Sequence, residues 1–478
     1  MKPITTHQSI NYLYILFLIW ILSCSLSCSR DTSIDEVILT GKLSNRTSDT
    51  LNLYSHLGLE KQILIRNDGT FSDTLRIPSG YYKLVQNSTM LLDELFLDKG
   101  FRLHINIDIG NLNNVRLEGP KGIYENLYLY DKSLVNKQLG LLTSIVKERD
   151  ENQFLKFTDS VYKLKNDLLN ACKTKLLPSF IETETLSLQN NRLLMISQFP
   201  GIKNYYATAE NPYKKSKDYP NVFETDIDLD KTLSVASLDT YLYAKKHIAY
   251  NISKNAQNNK HINYHQAYFN YINSNLKNDT LSELLHYQNG SDWLSMAINM
   301  DSIFDLLKTK IKSEDKLMQL TNTYKNFKPI ERGQPAPNFV LKDINNKDVS
   351  LESLKGNVVY IDFWGTYCKP CFNLMPALNM LEKEFHGKDI VFVGIGMDPD
   401  DALWKKRIAQ FNMGGIQLRS ESREHPFLKH FKVIGIPRFL LIDKEGNIVD
   451  AFAKEPDDPQ LKKQLYALLD GNNQNIKY

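Results

Sequence analysis

Cysteine is scarce. The 478 residues hold five, Cys24, Cys28, Cys172, Cys368 and Cys371, which excludes a disulfide-stapled scaffold. Charge of one sign is lacking too. Lys plus Arg number 58 against 55 Asp plus Glu, a net +3. No long basic block occurs, so the electrostatic footprint of a nucleic-acid binder is missing. No repeat of fixed period runs through 119–328. The apolar stretch "NYLYILFLIWIL" (11–22) is too short to span a bilayer and has the length of a signal-peptide core. What is present is an ordinary globular composition, 42% hydrophobic and 24% charged, in a chain long enough for two or three domains.

Residues 23–31, "SCSLSCSRD", follow the apolar stretch directly. An apolar segment, small residues and a cysteine resemble a bacterial lipoprotein signal, in which the cysteine becomes the lipidated mature N-terminus. "WILSC" fits that pattern at Cys24, and "SLSC" fits it less well at Cys28. The alternatives are an uncleaved anchor and a short buried helix. The lipoprotein reading is preferred because soluble domains rarely open on such a run. It sets 1–28 aside as a signal peptide. It also implies a membrane-anchored, periplasm-facing lipoprotein of the bacterial envelope, where disulfides form.

Three patterns follow. From 31 to 118 short β-rich runs such as "DEVILTGKLSN", "KQILIRND" and "FRLHINIDIG" alternate with turn signals, which predicts an antiparallel β-sandwich-like domain or barrel. From 119 to 328 the period lengthens to that of helices. Val161, Leu164, Leu168, Cys172 and Leu176 recur at helical spacing, and 122–147 and 301–327 are among the further helical candidates, so an all-α middle region is expected. "PIERGQPAPNF" (329–339) breaks that pattern. From 331 to 478 strand-like and helix-like runs alternate, which predicts an α/β domain.

That last domain holds "WGTYCKPC" (364–371). A C-x-x-C at a strand–helix junction reads as a redox dithiol. Cys368 would sit at the helix N-terminus, where free N–H groups and the macrodipole favour a thiolate. Cys371, one turn on, is near enough to attack a mixed disulfide. Pro370 is tolerated in a first turn. A zinc site would need about four Cys or His ligands, commonly a second pair at similar spacing. No second C-x-x-C exists, and His386, His425 and His430 show no matching pairing. No metal is expected.

Residues 333–470 resemble the thioredoxin superfamily, and within it the envelope thiol-disulfide oxidoreductases of the TlpA/ResA type. The motifs are "GQPAPNFVLKDINNKDVSLESLKGNVVYIDFWGTYCKPC", Pro376 in "CFNLMP", "VIGIPRFLLID", and the segment "VGIGMDPDDALWKKRIAQF" resembling this subgroup's insertion. The resemblance implies a thioredoxin-like fold and dithiol–disulfide exchange, with Cys368 as nucleophile and Cys371 as resolving thiol. It implies no cofactor beyond the redox-active disulfide Cys368–Cys371. It makes Pro437 a cis proline facing the dithiol, with the Ile436 backbone free to pair with an extended client. Trp364 would pack beside the dithiol, or serve only as core. Asp362 matches the buried acid of thioredoxin, whose raised pKa suits it to take a proton from Cys371; its alternative is a satisfied polar residue at a strand end. The lysine that often accompanies that acid is not evident, since the aligned strand reads "FVGIGM". Lys369 and Pro370, between the cysteines, would tune the potential.

The implied partners are disulfide-containing protein clients, a membrane electron donor and the membrane itself through the lipid anchor, with no nucleic acid. The expected direction is reduction. One alternative is a thiol peroxidase of the AhpC/TSA type, but its P-x-x-x-T-x-x-C context is absent: position 361 is isoleucine and Thr366 lies two residues before Cys368. Another is a surface binding lipoprotein whose thioredoxin domain is only structural. "DGTFSDTLRIPSGYYKL" and "LFLDKGFRLHINI" resemble the β-rich domain that precedes such domains in envelope lipoproteins, which suggests client presentation or spacing. Elsewhere, Cys172 reads as a small buried hydrophobe. His261 and His265, four apart, lack a third ligand. "DPDD" (398–401) reads as helix capping.

Overall fold

The computed structural model describes residues 36–55, 60–207, 213–234, 237–257 and 264–471. The signal-peptide reading, with Cys24 and Cys28, and His261 lie outside the described residues. The chain divides into two compact units between Leu281 and Ser282.

The first unit opens on eight strands: β1 (Val37–Ser44), β2 (Thr50–Ser55), β3 (Glu60–Leu64), β4 (Thr70–Leu75), β5 (Gly80–Gln86), β6 (Thr89–Leu97), β7 (Arg102–Asp108) and β8 (Val115–Lys121). They form two four-stranded sheets, β4-β1-β7-β8 and β3-β2-β5-β6. Alternation places the core. In β1, Val37, Leu39 and Leu43 are buried and their neighbours are not, because successive side chains leave opposite faces of a strand. Both sheets contribute to one hydrophobic cluster, as a sandwich requires. One pairing departs from the antiparallel expectation: β1 and β7 are parallel, since the chain passes through the other sheet before returning to this one.

Helices follow in the same unit: α1 (Ile123–Leu139), α2 (Leu142–Lys147), α3 (Glu151–Cys172), α4 (Pro178–Tyr206), α5 (Leu229–Ser234), α6 (Leu238–Gln257) and α7 (Tyr264–Asn275). The stretch 122–147 is two helices rather than one, broken at Gly140 with φ +78°, a conformation glycine adopts without strain. α3 begins with a capping box between Asp150 and Gln153. Its buried face runs through Phe154, Thr158, Val161, Lys165 and Leu169, while Leu164 is half exposed. Buried polar groups bind sheet to helices. Glu184 on α4 accepts from Tyr81 (2.6 Å), Tyr128 (2.9 Å) and Lys132 (2.7 Å), and Lys132 also pairs with Glu94 at 2.7 Å. Asn126 accepts from the Phe96 N–H at 2.8 Å and donates to its carbonyl at 2.9 Å, standing where a further strand would pair.

The second unit takes up most of α8 (Asp279–Ser295), then α9 (Met300–Lys310) and α10 (Glu314–Phe327). The stretch 301–327 is therefore two helices, and Ser313 caps the second by accepting from the Lys316 N–H at 3.4 Å. Beyond them lie β9 (Val340–Asp343), β10 (Asp348–Ser350), β11 (Val358–Trp364), α11 (Lys369–Glu384), β12 (Ile390–Met397), α12 (Asp401–Gln410), β13 (Ile416–Ser420), α13 (Pro426–His430), β14 (Arg438–Ile442), β15 (Ile448–Asp450) and α14 (Pro459–Leu469). The sheet order is β10-β9-β13-β12-β11-β14-β15. β11, β12 and β13 are parallel, and β14 runs against β11. β11 is central and buried along its whole length, which accounts for its unbroken apolar run around Asp362. The chain is thus multidomain: a β-rich N-terminal region, a helical middle and a C-terminal α/β layer of thioredoxin type. Among the described residues no helix is long and apolar enough to cross a membrane.

Candidate active site

β11 sets the site by its period of two. Tyr360, Asp362 and Trp364 leave one face. α11 covers that face: Tyr360 packs with Met375, Leu378 and Leu381, and Trp364 packs with Cys368 and Cys371. Cys368 is the N-cap of α11, and Cys368 and Cys371 form a disulfide. The Cys371 N–H points at Cys368 Sγ, 3.2 Å away. Of the two, Cys371 is the deeper, 1% exposed against 4%. Lys369 and Pro370 stand in the first helical turn on the surface, and Pro376 lies within the helix.

The loop between strand and helix is tied down by Asp398, 32 positions on in the chain. The Thr366 N–H donates to Asp398 Oδ2 at 3.2 Å, and its hydroxyl donates to the same oxygen. Asp398 is 4% exposed. So the first aspartate of "DPDD" anchors the dithiol loop, while Asp400 does the capping, accepting from the Leu403 N–H at 2.9 Å. Trp404 lies against Trp364 and the cysteines and is fully buried. It can do so because position 396 is glycine: a Cβ there would fall 2.3 Å from its Nε1.

Asp362 lies two residues deeper on the same face, 2% exposed, and neither carboxylate oxygen has a partner among the described residues. Burial, and then the Glu382 charge, push its carboxyl up to about 8. Burial pushes Glu382 up to about 7. No cation faces Asp362 from the next strand, because β12 places Gly394 opposite it. The Gln417 amide occupies the space a side chain there would take, 2.3 Å from an ideal Cβ, and donates to the Gly414 carbonyl at 2.7 Å.

The Ile436–Pro437 peptide bond is cis. Arg438 pairs with Phe363 in the sheet, so the chain reaches the site just before β14 begins. Ile436 packs on the cluster of Trp364, Cys368 and Cys371. No backbone hydrogen bond takes up Ile436 among the described residues. Cys368, Cys371, Trp364 and Ile436 therefore meet in one cluster, with Pro437 next to Ile436 in the chain and Asp362 two residues before Trp364 on the same strand face. Cys172 lies in the other unit as a half-buried free thiol facing the Leu168 and Leu169 carbonyls, and burial pushes it up. Among the described residues no three His, Cys, Asp or Glu side chains gather as a metal site.

The Redoxin family profile matches residues 331–468. Over 136 residues the chain is 32% identical to the thiol-disulfide oxidoreductase ResA of Bacillus thuringiensis subsp. konkukian, spanning 28% of this chain and 78% of that protein. The chain belongs to the thioredoxin-like thiol-disulfide oxidoreductases. The thioredoxin-like protein YneN of Bacillus subtilis is 46% identical over 136 residues, 28% of this chain and 79% of its own. Among solved structures, the thioredoxin domain of a thiol-disulfide oxidoreductase from Bacteroides vulgatus shares 27% identity over 29% of this chain and 97% of its own, with a TM-score of 0.27. The enzyme class thus rests on the C-terminal domain. Gln417 and Glu382 are this oxidoreductase's supports that no local pattern announces, and Asp398 and Trp404 stand in the quoted insertion segment without its pattern giving their roles.

Proposed function

We propose that this oxidoreductase reduces disulfides of protein clients through Cys368 and Cys371. The observation that carries the reading is the Cys368–Cys371 pair, with Cys368 at a helix N-terminus and Ile436 packed on the same cluster. In the reduced enzyme the Cys368 thiolate, favoured by the helix N-terminus and the Lys369 charge, attacks one client sulfur. A mixed disulfide forms and the other client sulfur leaves as a thiolate, which takes up a proton. In the fraction of enzyme whose Asp362 is ionised, a fraction that grows as pH approaches about 8, Cys371 then gives its proton to Asp362 and attacks Cys368 Sγ. The client's second sulfur leaves as a thiolate and takes its proton from Asp362 by way of solvent, and the enzyme is left as the Cys368–Cys371 disulfide. Two electrons and two protons have passed to the client. Asp362 suits its part because its pKa lies between those of an ordinary carboxylate and a thiol. Ile436 offers an extended client a free N–H and carbonyl.

The resemblance of residues 11–28 to a lipoprotein signal supports an envelope location facing the periplasm, with a lipid on Cys24 or Cys28 and a membrane donor that reduces the enzyme again. The test is Cys371→Ala. Without the resolving thiol, clients are expected to stay bound to Cys368 as mixed disulfides that reductant releases. The reading fails if this variant captures no protein and the wild type leaves insulin disulfides intact.

A further inference from the structure

The face around the dithiol is uneven in charge. A groove of about 920 Å³ runs beside Ile436 and Pro437. Its lining holds four cations, Arg423, Lys429, Lys432 and Arg438, and one carboxylate, Glu424. Glu424 is already taken by Lys429 at 2.5 Å. The other three cations are held by rings and a carbonyl. Arg423 donates to the Tyr367 hydroxyl and lies 5.4 Å from that ring's centre. Lys432 stands 5.5 Å from the centre of Phe327. Arg438 lies 3.3 Å from the centre of Phe452 and donates to the Ala451 carbonyl. The buried Asp450 offsets part of the Arg438 charge. Lys369 adds an exposed cation between the cysteines themselves.

The same face is also apolar where a client would lie. Ile434 is 91% exposed and Tyr367, the residue before Cys368, is 57% exposed. The Tyr367 ring folds back over Gly365, where a Cβ would come within 2.8 Å of it. Arg423, which lines the groove, therefore fixes the ring of the residue next to the nucleophile.

We propose that this groove selects clients whose disulfide lies in an acidic segment with an apolar residue beside the cysteine. The inference rests on the reductase reading above. Carboxylates flanking the client cysteine would meet Arg423 and Lys432, and Arg438 whose charge Asp450 offsets in part; among the described residues none of the three is salt-bridged to a carboxylate. The apolar neighbour would lie against Tyr367 and Ile434. Charge complementarity of this kind acts chiefly on the rate of encounter and falls with ionic strength.

The experiment uses the reduced full chain and three disulfides: hydroxyethyl disulfide and two synthetic peptides with one disulfide loop and one apolar flank. One peptide is bordered by aspartates and the other by lysines. Oxidation of the enzyme is followed by stopped flow. The acidic peptide is expected to react about tenfold or more faster at low salt, the advantage shrinking in high salt. Arg423→Glu with Lys432→Glu is expected to reverse the order of the two peptides. Equal peptide rates, or a preference for the basic peptide, with hydroxyethyl disulfide still reduced, overturn the groove's role alone. Inertness toward all three overturns the reductase reading and the groove's role with it.

Discussion

Asp362 carries a consequence for stability as well as for catalysis. Its carboxyl is held up to about 8 by burial and then by Glu382, whereas in an unfolded chain it titrates near ~4. Between those values the native chain holds a proton that the unfolded chain has lost. Stability from this group is therefore complete below about pH 4 and falls as pH rises to about 8. Asp362→Asn removes the titration. It is expected to stabilise the second unit by on the order of 2–4 kcal/mol at pH 7 and to make little difference near pH 4. Urea unfolding followed by tryptophan fluorescence reads this, since Trp293, Trp364 and Trp404 all lie in that unit. The same substitution is expected to slow resolution of the mixed disulfide by about 10²-fold and to erase the inflection near pH 8. An unchanged urea midpoint at pH 7 and an unaltered pH–rate profile would remove Asp362 from the mechanism. At this scale the motif residues were legible because each is a local signal: a C-x-x-C after an apolar strand, a proline before another. Their partners were not. Thr366 meets Asp398 across 32 positions and Tyr367 meets Arg423 across 56, and no pattern within a window links them.

Elements were legible where period and burial agreed. β11, α11 and β12 fall where an unbroken apolar run, an amphipathic run and a second apolar run placed them, because a strand buried on both faces and a helix packed on one leave different signatures. α3 misled for a physical reason. Its apolar positions suggested a face through Leu164, but the buried face carries Lys165, whose ammonium bonds Asn191 at 3.2 Å. A lysine inside reads as a lysine outside until its partner is known. The same holds for Lys132, 4% exposed between Glu94 and Glu184. These contacts bind α1, α4 and β6 together, so the helices hold to the sheet through charge as well as apolar surface. Lys132→Ala would leave two buried carboxylates without their cation. The expected cost is about 3–5 kcal/mol, read by circular dichroism as a lowered unfolding midpoint of the first unit. A loss below ~1 kcal/mol would show that water reaches these acids and that the pair contributes little.

For the whole molecule, the sequence pattern breaks at "PIERGQPAPNF" (329–339), yet the chain does not come loose there. Gly333 N–H donates to the Ile448 carbonyl and Ile448 N–H to the Gln334 carbonyl, both at 2.8 Å, and Pro335 bridges Asn447. The segment thus extends the sheet along β15. Just upstream, Ile330 is fully buried, Phe327 stacks on Phe452 with centroids 6.4 Å apart, and Glu331 accepts from the Met300 N–H at 2.7 Å. Prolines and glycine stop a helix equally well in a linker and in a sheet edge, which is why composition alone could not distinguish them. The compact unit accordingly begins at Ser282 and not at the break. A fragment of residues 282–478 is expected to unfold at higher urea than one of residues 331–478, by roughly 1–3 kcal/mol for the lost apolar contacts and hydrogen bonds. The shorter fragment should also expose Phe452 and bind a hydrophobic dye more strongly. Equal urea midpoints for the two fragments would mean that residues 282–330 lie against the oxidoreductase domain without supporting it.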